Sequence, residues 1–544
     1  MKENFFRSMT WLHTWVGLLV CWILLLVFFA GTMSYYRHEI SLWTKPEIHQ
    51  AVMQPYQHQQ LQAQINQGQS YLANHASDAK DWHIEFAYER RPYLSFGWQD
   101  QPEEGQRRGK FHEHIITADG TDVVTEVRES RGGHFFYRLH FDLHYMPAKV
   151  ARWIVGFCTL FMLLAIISGI VIHKRIFKDF FSFRPGKGSR SWLDGHNVSS
   201  VLALPYHLMI TYTGLITLMM MYMPWGVVTA FDGDSRAYRA ELNPQRVSVK
   251  PAGTGAQLIT LSQLLPQVHS VWGDTPIKRI AVRYPGDANS RVSFYRNTGQ
   301  AVTDQRTPLV FDGVSGEMLS AAKLPSSGAR QTHDTLMALH TARFAEPILR
   351  LLFFICGLMG CAMIATGSLL WAIKIRQKQQ KRLQLGDKPS FGLRLVEGLN
   401  LTFIAGLPLA TSAFFYANRL LPEVMPARAQ WEINCFFITL ALVGLIACIN
   451  RSRRCWQLLF SVAAIALLAI PLLNVLTSGQ GIIDNFVSAQ WILLGFDSLC
   501  VLMGSLLGLI GYKLRAPKVN QARRTRRTSM PPRGQIAHVA KLEE

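Results

Sequence analysis

The sequence contains no C-x-x-C-H motif, and its two long polar segments contain no cysteine. The first absence excludes covalent c-type haem attachment, and the second excludes a disulfide framework or a Cys-rich zinc site in those segments. Walker, G-x-G-x-x-G and G-x-S-x-G motifs are also missing. ATP-driven transport, a built-in nicotinamide site and serine hydrolysis therefore have no support from the sequence.

Acidic residues are scarce, with 36 Asp and Glu against 56 Lys and Arg, which gives a net charge of +20 over 544 residues. Almost half of the chain, 49%, is hydrophobic. The apolar residues are gathered into long runs and the basic residues flank these runs, a pattern typical of membrane orientation. The basic excess therefore indicates contact with membrane lipid and no binding of nucleic acid.

Eight apolar runs are each long enough to form a helix across a bilayer of about 30 Å. The first run is too long for a signal peptide and has no clear cleavage site, so we expect a retained helix. The sequence predicts a polytopic α-helical membrane protein with about eight transmembrane helices. The runs are 11–36, 150–173, 197–223, 347–373, 393–417, 431–450, 455–474 and 487–512.

Lys and Arg crowd the connections 174–190 and 374–394, whereas the connection 475–486 contains neither. The positive-inside rule then places both termini in the cytoplasm, as a multi-pass protein of the bacterial inner membrane. We expect the basic tail to be disordered against the anionic membrane surface.

The polar segments 37–149 and 224–346 then lie on the periplasmic side, and each predicts a small α+β module. The first combines a helix (57–76) with strands at 82–88, 93–98, 112–118 and 123–127. The second combines a helix (261–268) with strands at 278–283 and 291–295 and a strand-turn at 309–317.

An internal repeat relates these two halves. In the first and third runs, a histidine precedes a glycine by 18 residues. Just before the second and fourth runs, a Leu-His pair precedes a proline, and the interval is the same in both cases. The pattern predicts two copies of helix, module and helix, followed by an appended bundle without histidine. The matched residues are His13 and Gly31 with His196 and Gly214, and His140 and Pro147 with His340 and Pro347.

Seven histidines lie in or beside the apolar runs, where an unpaired polar side chain is costly. They form a cytoplasmic cluster and an outer cluster, which is what two b-type haems bound between helices require. The alternative is that each histidine reaches the interface or bonds a neighbouring helix. The candidates are His13, His173 and His196 at the cytoplasmic side, His207 deeper, and His140, His144 and His340 at the outer side.

The repeat favours ligation by His13 with His196 and by His140 with His340. His140 and His144 are four residues apart and are expected to share a helical face, so that one ligates and the other contacts a propionate.

Weaker signals come from basic and polar side chains. Candidate propionate partners are Arg138, Arg152 and Arg343 outside, and Arg7 and Arg175 inside. A metal site at His112-x-His114 lacks a third ligand. We expect Asp497 and Asn434 to make interhelical hydrogen bonds, although lining a pathway is the alternative.

Six motifs surround the candidate histidines. They are L-H-T-W-V-G at 12–17, L-H-F-D-L-H at 139–144, I-H-K-R at 172–175, S-W-L-D-G-H-N at 191–197, L-P-Y-H-L-M-I-T-Y-T-G at 204–214 and A-L-H at 338–340. Together they resemble the PepSY-associated transmembrane family, iron-regulated inner-membrane proteins that include ferrisiderophore reductases. The resemblance covers about residues 1–375, and the four later spans depart from the shortest members.

The resemblance implies a four-helix core, PepSY-like periplasmic modules and b-type haem held by histidines. It also implies transfer of electrons from a cytoplasmic-side or quinol donor to a periplasmic ferric siderophore, which releases iron once Fe(III) becomes Fe(II). Alternatives are a non-redox permease or accessory subunit for metal-chelate uptake, and a sensory or regulatory membrane protein. The predicted division is helix 1 (1–36), module 1 (37–149), helices 2 and 3 (150–223), module 2 (224–346), helix 4 (347–373), the appended four-helix bundle (393–512) and the tail (513–544).

Overall fold

The structure, a computed structural model, describes a large part of the chain. Arg175 and the predicted tail from residue 516 onward lie outside the described residues. These are 2–52, 58–106, 108–124, 126–173, 183–184, 186–242, 249–297, 302, 308–320 and 328–515.

Helices make up most of the described chain. Two short 3-10 helices, Pro46–Ala51 and Leu261–Leu264, accompany them. The α-helices are α1 (Lys2–Ser34), α2 (Arg37–Trp43), α3 (His58–His75), α4 (Gly132–Asp142), α5 (Ala148–Ile172), α6 (Ser189–Leu202), α7 (Leu204–Thr217), α8 (Met219–Tyr222), α9 (Trp225–Phe231), α10 (Ser235–Leu242), α11 (Leu265–Trp272), α12 (Gly328–Thr341), α13 (Pro347–Lys378), α14 (Gln380–Gln384), α15 (Phe391–Leu420), α16 (Arg428–Ile449), α17 (Arg453–Leu468), α18 (Ile470–Ser478), α19 (Ile482–Val487) and α20 (Trp491–Lys513).

Seven helices among the described residues are long and apolar enough to cross a membrane, which makes the protein a polytopic membrane protein. They are α1, α5, α13, α15, α16, the α17–α18 unit and α20. The predicted span at 197–223 is instead divided among α6, α7 and α8. The first break follows from Pro205, which lacks a backbone N–H and so cannot continue the hydrogen bonds of α6.

The two polar segments share one sheet. Its strands are β1 (Asp81–Glu85), β2 (Ser95–Gln99), β3 (Phe111–Ile116), β4 (Val123–Val124), β5 (Ile277–Arg283), β6 (Arg291–Arg296), β7 (Leu309–Asp312) and β8 (Met318–Ser320). Their order is β4-β3-β2-β1-β5-β6-β7-β8, and every pairing is antiparallel. We expected two separate small sheets, but β1 of the first segment pairs with β5 of the second, with Trp82 opposite Val282.

The helices α3 and α11 cover this sheet, as expected for both segments. Leu61, Ile65 and Leu72 of α3 recur at helical spacing and pack on Ile84 and Phe96 in a core that both segments share. Gly68 allows this close packing, since a Cβ there would stand 2.8 Å from Phe96. The sheet therefore behaves as a single unit that joins the two halves.

The appended helices pack on the first half of the chain. Trp43 of α2 is fully buried and stacks on Phe496 of α20, and it also meets Phe415 of α15. Asp497 accepts a hydrogen bond from the Trp43 indole at 3.2 Å and contacts Asn474 of α18. The expected hydrogen bond between helices is therefore confirmed for Asp497, whereas Asn434 accepts one from Tyr145 in the loop between α4 and α5.

Candidate functional site

His13 and His196 form one pair of histidines. Their ring centroids are 6.2 Å apart, although the residues belong to α1 and α6. Nδ1 of His13 lies 2.8 Å from the Ala165 carbonyl oxygen of α5, and Nδ1 of His196 lies 2.9 Å from the Met363 carbonyl oxygen of α13. Each ring is therefore held by a different neighbouring helix.

His140 and His340 form the second pair, with ring centroids 6.0 Å apart. Nδ1 of His140 lies 2.7 Å from the Val27 carbonyl oxygen of α1. Nδ1 of His340 lies 3.1 Å from the Thr213 hydroxyl of α7. Because His13 and Val27 are 14 residues apart on α1, the two pairs are separated along that helix by about 21 Å.

All four histidines use one local arrangement. Each ring lies on a glycine of the neighbouring helix, and three of the four rings bond the carbonyl group four residues before that glycine. A side chain in a helix covers the turn before its own Cα, so a glycine leaves that carbonyl open to a partner. The contacts are His13 with Ala165 and Gly169, His196 with Met363 and Gly367, His140 with Val27 and Gly31, and His340 with the Thr213 hydroxyl and Gly214.

The pairs fit a metal held between two imidazoles. Bonds of about 2 Å from one metal ion to two imidazoles place the ring centroids about 6 Å apart. A carbonyl acceptor at Nδ1 also fixes the tautomer and leaves Nε2 free to ligate. Among the described residues no three or more His, Cys, Asp or Glu gather as a metal site. A haem iron needs only two protein ligands, because the porphyrin supplies the others.

His144 lies apart from the second pair. Helix α4 ends at Asp142, and Leu143 and His144 both have a φ of +53°. The expectation that His140 and His144 share a helical face was therefore wrong. His144 instead stacks on Phe437 of α16 at 5.6 Å, within 3.3 Å of the Gln430 amide.

His207 and His173 also lie outside the two pairs. His207 is fully buried and meets Phe28 edge-on at 6.3 Å, and a Cβ at Gly360 would stand 3.3 Å from its Nε2. This packing leaves little space for a metal at Nε2. His173 caps α5, and its buried Nε2 has no hydrogen-bond partner among the described residues.

A cavity of about 1210 Å³ opens beside the His140–His340 pair and extends to the sheet. Its membrane end is lined by apolar side chains such as Leu24, Phe28 and Met162. Nine of its lining residues are basic and three are acidic. The basic residues of this arginine-lined cavity are Arg37, Arg90, Arg138, Arg152, Lys278, Arg279, Arg296, Arg343 and Arg350.

Several of the predicted propionate partners are already engaged. Asp142 binds Arg138 at 2.6 Å and Arg152 at 2.8 Å. Arg7, proposed for the other cluster, pairs with Glu3 at 2.7 Å. Arg343 lines the cavity and makes no ion pair within the described part of the chain.

The proposed metal site at His112-x-His114 finds other partners. His112 lies 2.8 Å from Asp100 and stacks on Trp98. Nδ1 of His114 lies 2.6 Å from the Tyr71 hydroxyl. No third ligand joins them among the described residues, so this sequence signal gains no support.

The fold and the site define a multi-pass membrane protein in which two histidine pairs join the helices of an internal repeat. Residues 10–374 match the family described as the PepSY-associated TM region, so the chain belongs to this family and the predicted resemblance is confirmed at that level. The match ends within α13, before the appended helices. An uncharacterized protein of Pseudomonas aeruginosa is 25% identical over 400 residues, covering 65% of this chain and 89% of that protein.

Sequence reasoning missed two parts of the site. Gly169 and Gly367 hold the rings of His13 and His196 as Gly31 and Gly214 hold the others, and the available signal was a glycine inside an apolar run. Arg37 also escaped notice. It immediately follows the first apolar run, where a basic residue usually marks only the membrane surface.

Proposed function

We propose that this protein is a b-type haem oxidoreductase of the bacterial inner membrane that reduces ferric siderophore to the Fe(II) form on the periplasmic side. The proposal rests on two histidine pairs at matching positions of the repeat. The ring centroids are 6.2 Å apart in the His13–His196 pair and 6.0 Å apart in the His140–His340 pair. Histidines that only tied helices together would not need to meet, ring against ring, their own equivalents in the other half of the repeat, and both pairs do so at a spacing that suits a metal between them.

His13 with His196 would hold one haem, and His140 with His340 the other. Bound haem iron supplies one-electron redox chemistry that no amino-acid side chain of this chain provides. The hydrogen-bond partner at each Nδ1 would orient the imidazole, and a carbonyl acceptor there raises the basicity of the ligating nitrogen. Leu24 and its apolar neighbours line the cavity beside the second pair and would give a bound porphyrin apolar surroundings.

The acceptor side follows from the cavity. The His140–His340 pair borders the arginine-lined cavity, which the sheet covers. With the basic connections in the cytoplasm, this face is periplasmic and the His13–His196 pair lies near the cytoplasm. In this orientation α6, α7 and α8 together supply the eighth crossing. The electron donor is then a cytoplasmic-side protein or a quinol.

Haem content tests the proposal directly. Protein purified from haem-replete cells should show a Soret band and sharp α-bands after dithionite reduction, and a pyridine haemochrome assay should give two haems per chain. His13→Ala and His140→Ala should each remove one haem, whereas His75→Ala, on the exposed end of α3, should remove none.

Colourless protein would reject the redox function and favour a permease, an accessory subunit or a regulatory protein. Full haem content in alanine variants of all four paired histidines would reject the ligand assignment. Activity is tested separately, because dithionite-reduced protein freed of excess reductant should be reoxidised by a ferric siderophore under anaerobic conditions. The amount of Fe(II) formed, measured with a ferrous chelator, should equal the amount of haem that is reoxidised.

A further inference from the structure

Five cations of the arginine-lined cavity have carboxylate partners, whereas Arg37, Arg296 and Arg343 make no ion pair with another described residue. The five are Arg90, Arg138, Arg152, Arg279 and Arg350. Glu39 binds both Arg90 and Arg350, at 3.1 and 2.9 Å. Arg37 instead donates to His38 at 3.2 Å and lies 4.9 Å from the centre of the Tyr137 ring. Within the described residues neither Arg37 nor Arg343 makes an ion pair.

Burial and neighbouring positive charge act together on these two guanidinium groups. Burial lowers the pKa of Arg37, and the charge of Arg343 lowers it further. Burial also lowers the pKa of Arg343. The neighbouring His38 has its pKa lowered to about 2, first by burial and then by the charges of Arg90, Arg37 and Lys278. This end of the cavity therefore favours an anion, because partly desolvated cations without counter-charges are costly.

The cavity is also larger than the usual pocket for one small ligand. Pockets for single small ligands measure about 300–1,000 Å³, and this one measures about 1210 Å³. Its apolar membrane end contains the His140–His340 pair, whereas its opposite end reaches Tyr88 and Lys278 beside the sheet. A cofactor at the first end leaves the cationic end for a second molecule.

We propose that the arginine-lined cavity selects anionic iron chelates, whose oxyanion groups bind Arg37 and Arg343. We infer that the ligand is an iron chelate from the proposed function. We infer that it is negatively charged from the two guanidinium groups that lack an ion pair among the described residues. Arginine suits this role because its planar fork binds two oxygens of one carboxylate or catecholate. A haem propionate offers the same oxyanion chemistry, so the test must separate the two sources.

The experiment compares two chelates of opposite charge on the oxidised full-length protein. Equilibrium dialysis at low ionic strength would measure binding of an anionic ferric tris-catecholate and a cationic ferric trihydroxamate. We expect the anionic chelate to bind at least about tenfold more tightly, with affinity falling as salt is added. Arg37→Gln and Arg343→Gln should each weaken its binding by about tenfold or more.

Two further variants control for charge and folding. Arg343→Lys keeps the charge but loses the planar fork, so it should bind the anionic chelate more tightly than Arg343→Gln and less tightly than the native protein, which separates electrostatics from misfolding. Arg283→Gln removes a cation from the same sheet, outside the cavity, and should leave binding unchanged. Equal affinity for both chelates, or an equal loss in Arg283→Gln, would overturn the proposal.

Haem measurements on the same variants separate the two sources of oxyanions. If Arg37→Gln and Arg343→Gln changed haem content or midpoint potential but left chelate binding intact, the guanidinium groups would serve propionates and the proposal would be wrong. If haem-free protein still bound the anionic chelate through these arginines, charge selection would stand while the redox function failed.

Discussion

The ring of His140 lies directly on Gly31, and a Cβ added to this glycine would stand 2.7 Å from Nδ1 of the imidazole. Such a distance is well inside normal packing contact, so any larger residue forces the ring to move. The same Nδ1 donates to the Val27 carbonyl at 2.7 Å. Gly31 therefore controls both the position of His140 and its hydrogen bond.

Gly31→Ala should remove the haem held by His140 and His340 and spare the other, lowering haem per chain by about half. Pyridine haemochrome measures this loss. Gly17→Ala is the matched control, because Gly17 lies in the same helix and a Cβ added there would meet no atom within 4 Å. Both changes raise helix propensity by about 1 kcal/mol. Full haem in Gly31→Ala would show that the ring is not held as described.

Replacement of His207 by leucine should leave haem content unchanged. The side chain is fully buried, and neither ring nitrogen has a hydrogen-bond partner of ordinary geometry among the described residues. An apolar residue of similar size removes unsatisfied polar atoms, which is neutral or stabilising. Haem content and the thermal midpoint of His207→Leu, measured beside His140→Ala, check this. Loss of haem in His207→Leu would identify a ligand outside the two pairs.

The appended bundle should depend on a buried ion pair. Arg428 and Glu432 are 1% and 0% exposed and lie 2.5 Å apart. Glu432 also accepts hydrogen bonds from Ser130 and Asn418. Arg428→Met leaves the carboxylate buried without its cation, so we expect a loss of about 3–5 kcal/mol, and the double variant Arg428→Met/Glu432→Leu should recover most of it.

Thermal unfolding in detergent would measure these changes, with the exposed pair Arg382 and Asp387 as the control. Arg382→Met should cost no more than about 1 kcal/mol. A double variant less stable than Arg428→Met would contradict the interpretation.

The sheet should lose stability in mild acid through Glu113. Burial alone would raise the pKa of Glu113, but the charges of Arg91 and Lys45 outweigh it and the pKa is lowered. Arg91 lies 2.6 Å from the carboxylate, and the Ser95 hydroxyl donates to it at 2.9 Å. A lowered pKa in the folded state stabilises above the unfolded value of 4.5, and this contribution is lost as the pH falls through the folded pKa.

The unfolding midpoint of the sheet, followed by tryptophan fluorescence, should therefore fall more steeply below about pH 4.5 in the native protein than in Glu113→Gln. Glu104→Gln, at an exposed position, should behave as the native protein does. If the unfolding midpoints of Glu113→Gln and the native protein changed with pH in the same way, the Glu113 carboxylate would not be the cause of the acid sensitivity.

Local patterns predicted the elements well. The helix expected at 57–76 is His58–His75, and the strand expected at 278–283 is Ile277–Arg283. The repeat also indicated which histidines meet, although no single histidine differed from its neighbours. These successes rest on periodicity, which depends on residues close together in the chain.

Two expectations failed because distant residues decide them. The turn at Leu143 directs His144 toward α16 and away from His140. Strand pairing between β1 and β5 joins residues about 200 apart in sequence, for which no local pattern exists.

By itself, the sequence determined the membrane-spanning character, the twofold repeat and the identity of the paired histidines, because the hydropathy of each run and the spacing of residues within it are properties of the sequence alone. Only the tertiary structure decided that each paired imidazole rests on a glycine, that one sheet covers both halves and that Arg37 and Arg343 line one cavity without an ion pair to another described residue. These are contacts between helices and strands far apart in sequence, and their energies exist only once the chain has packed.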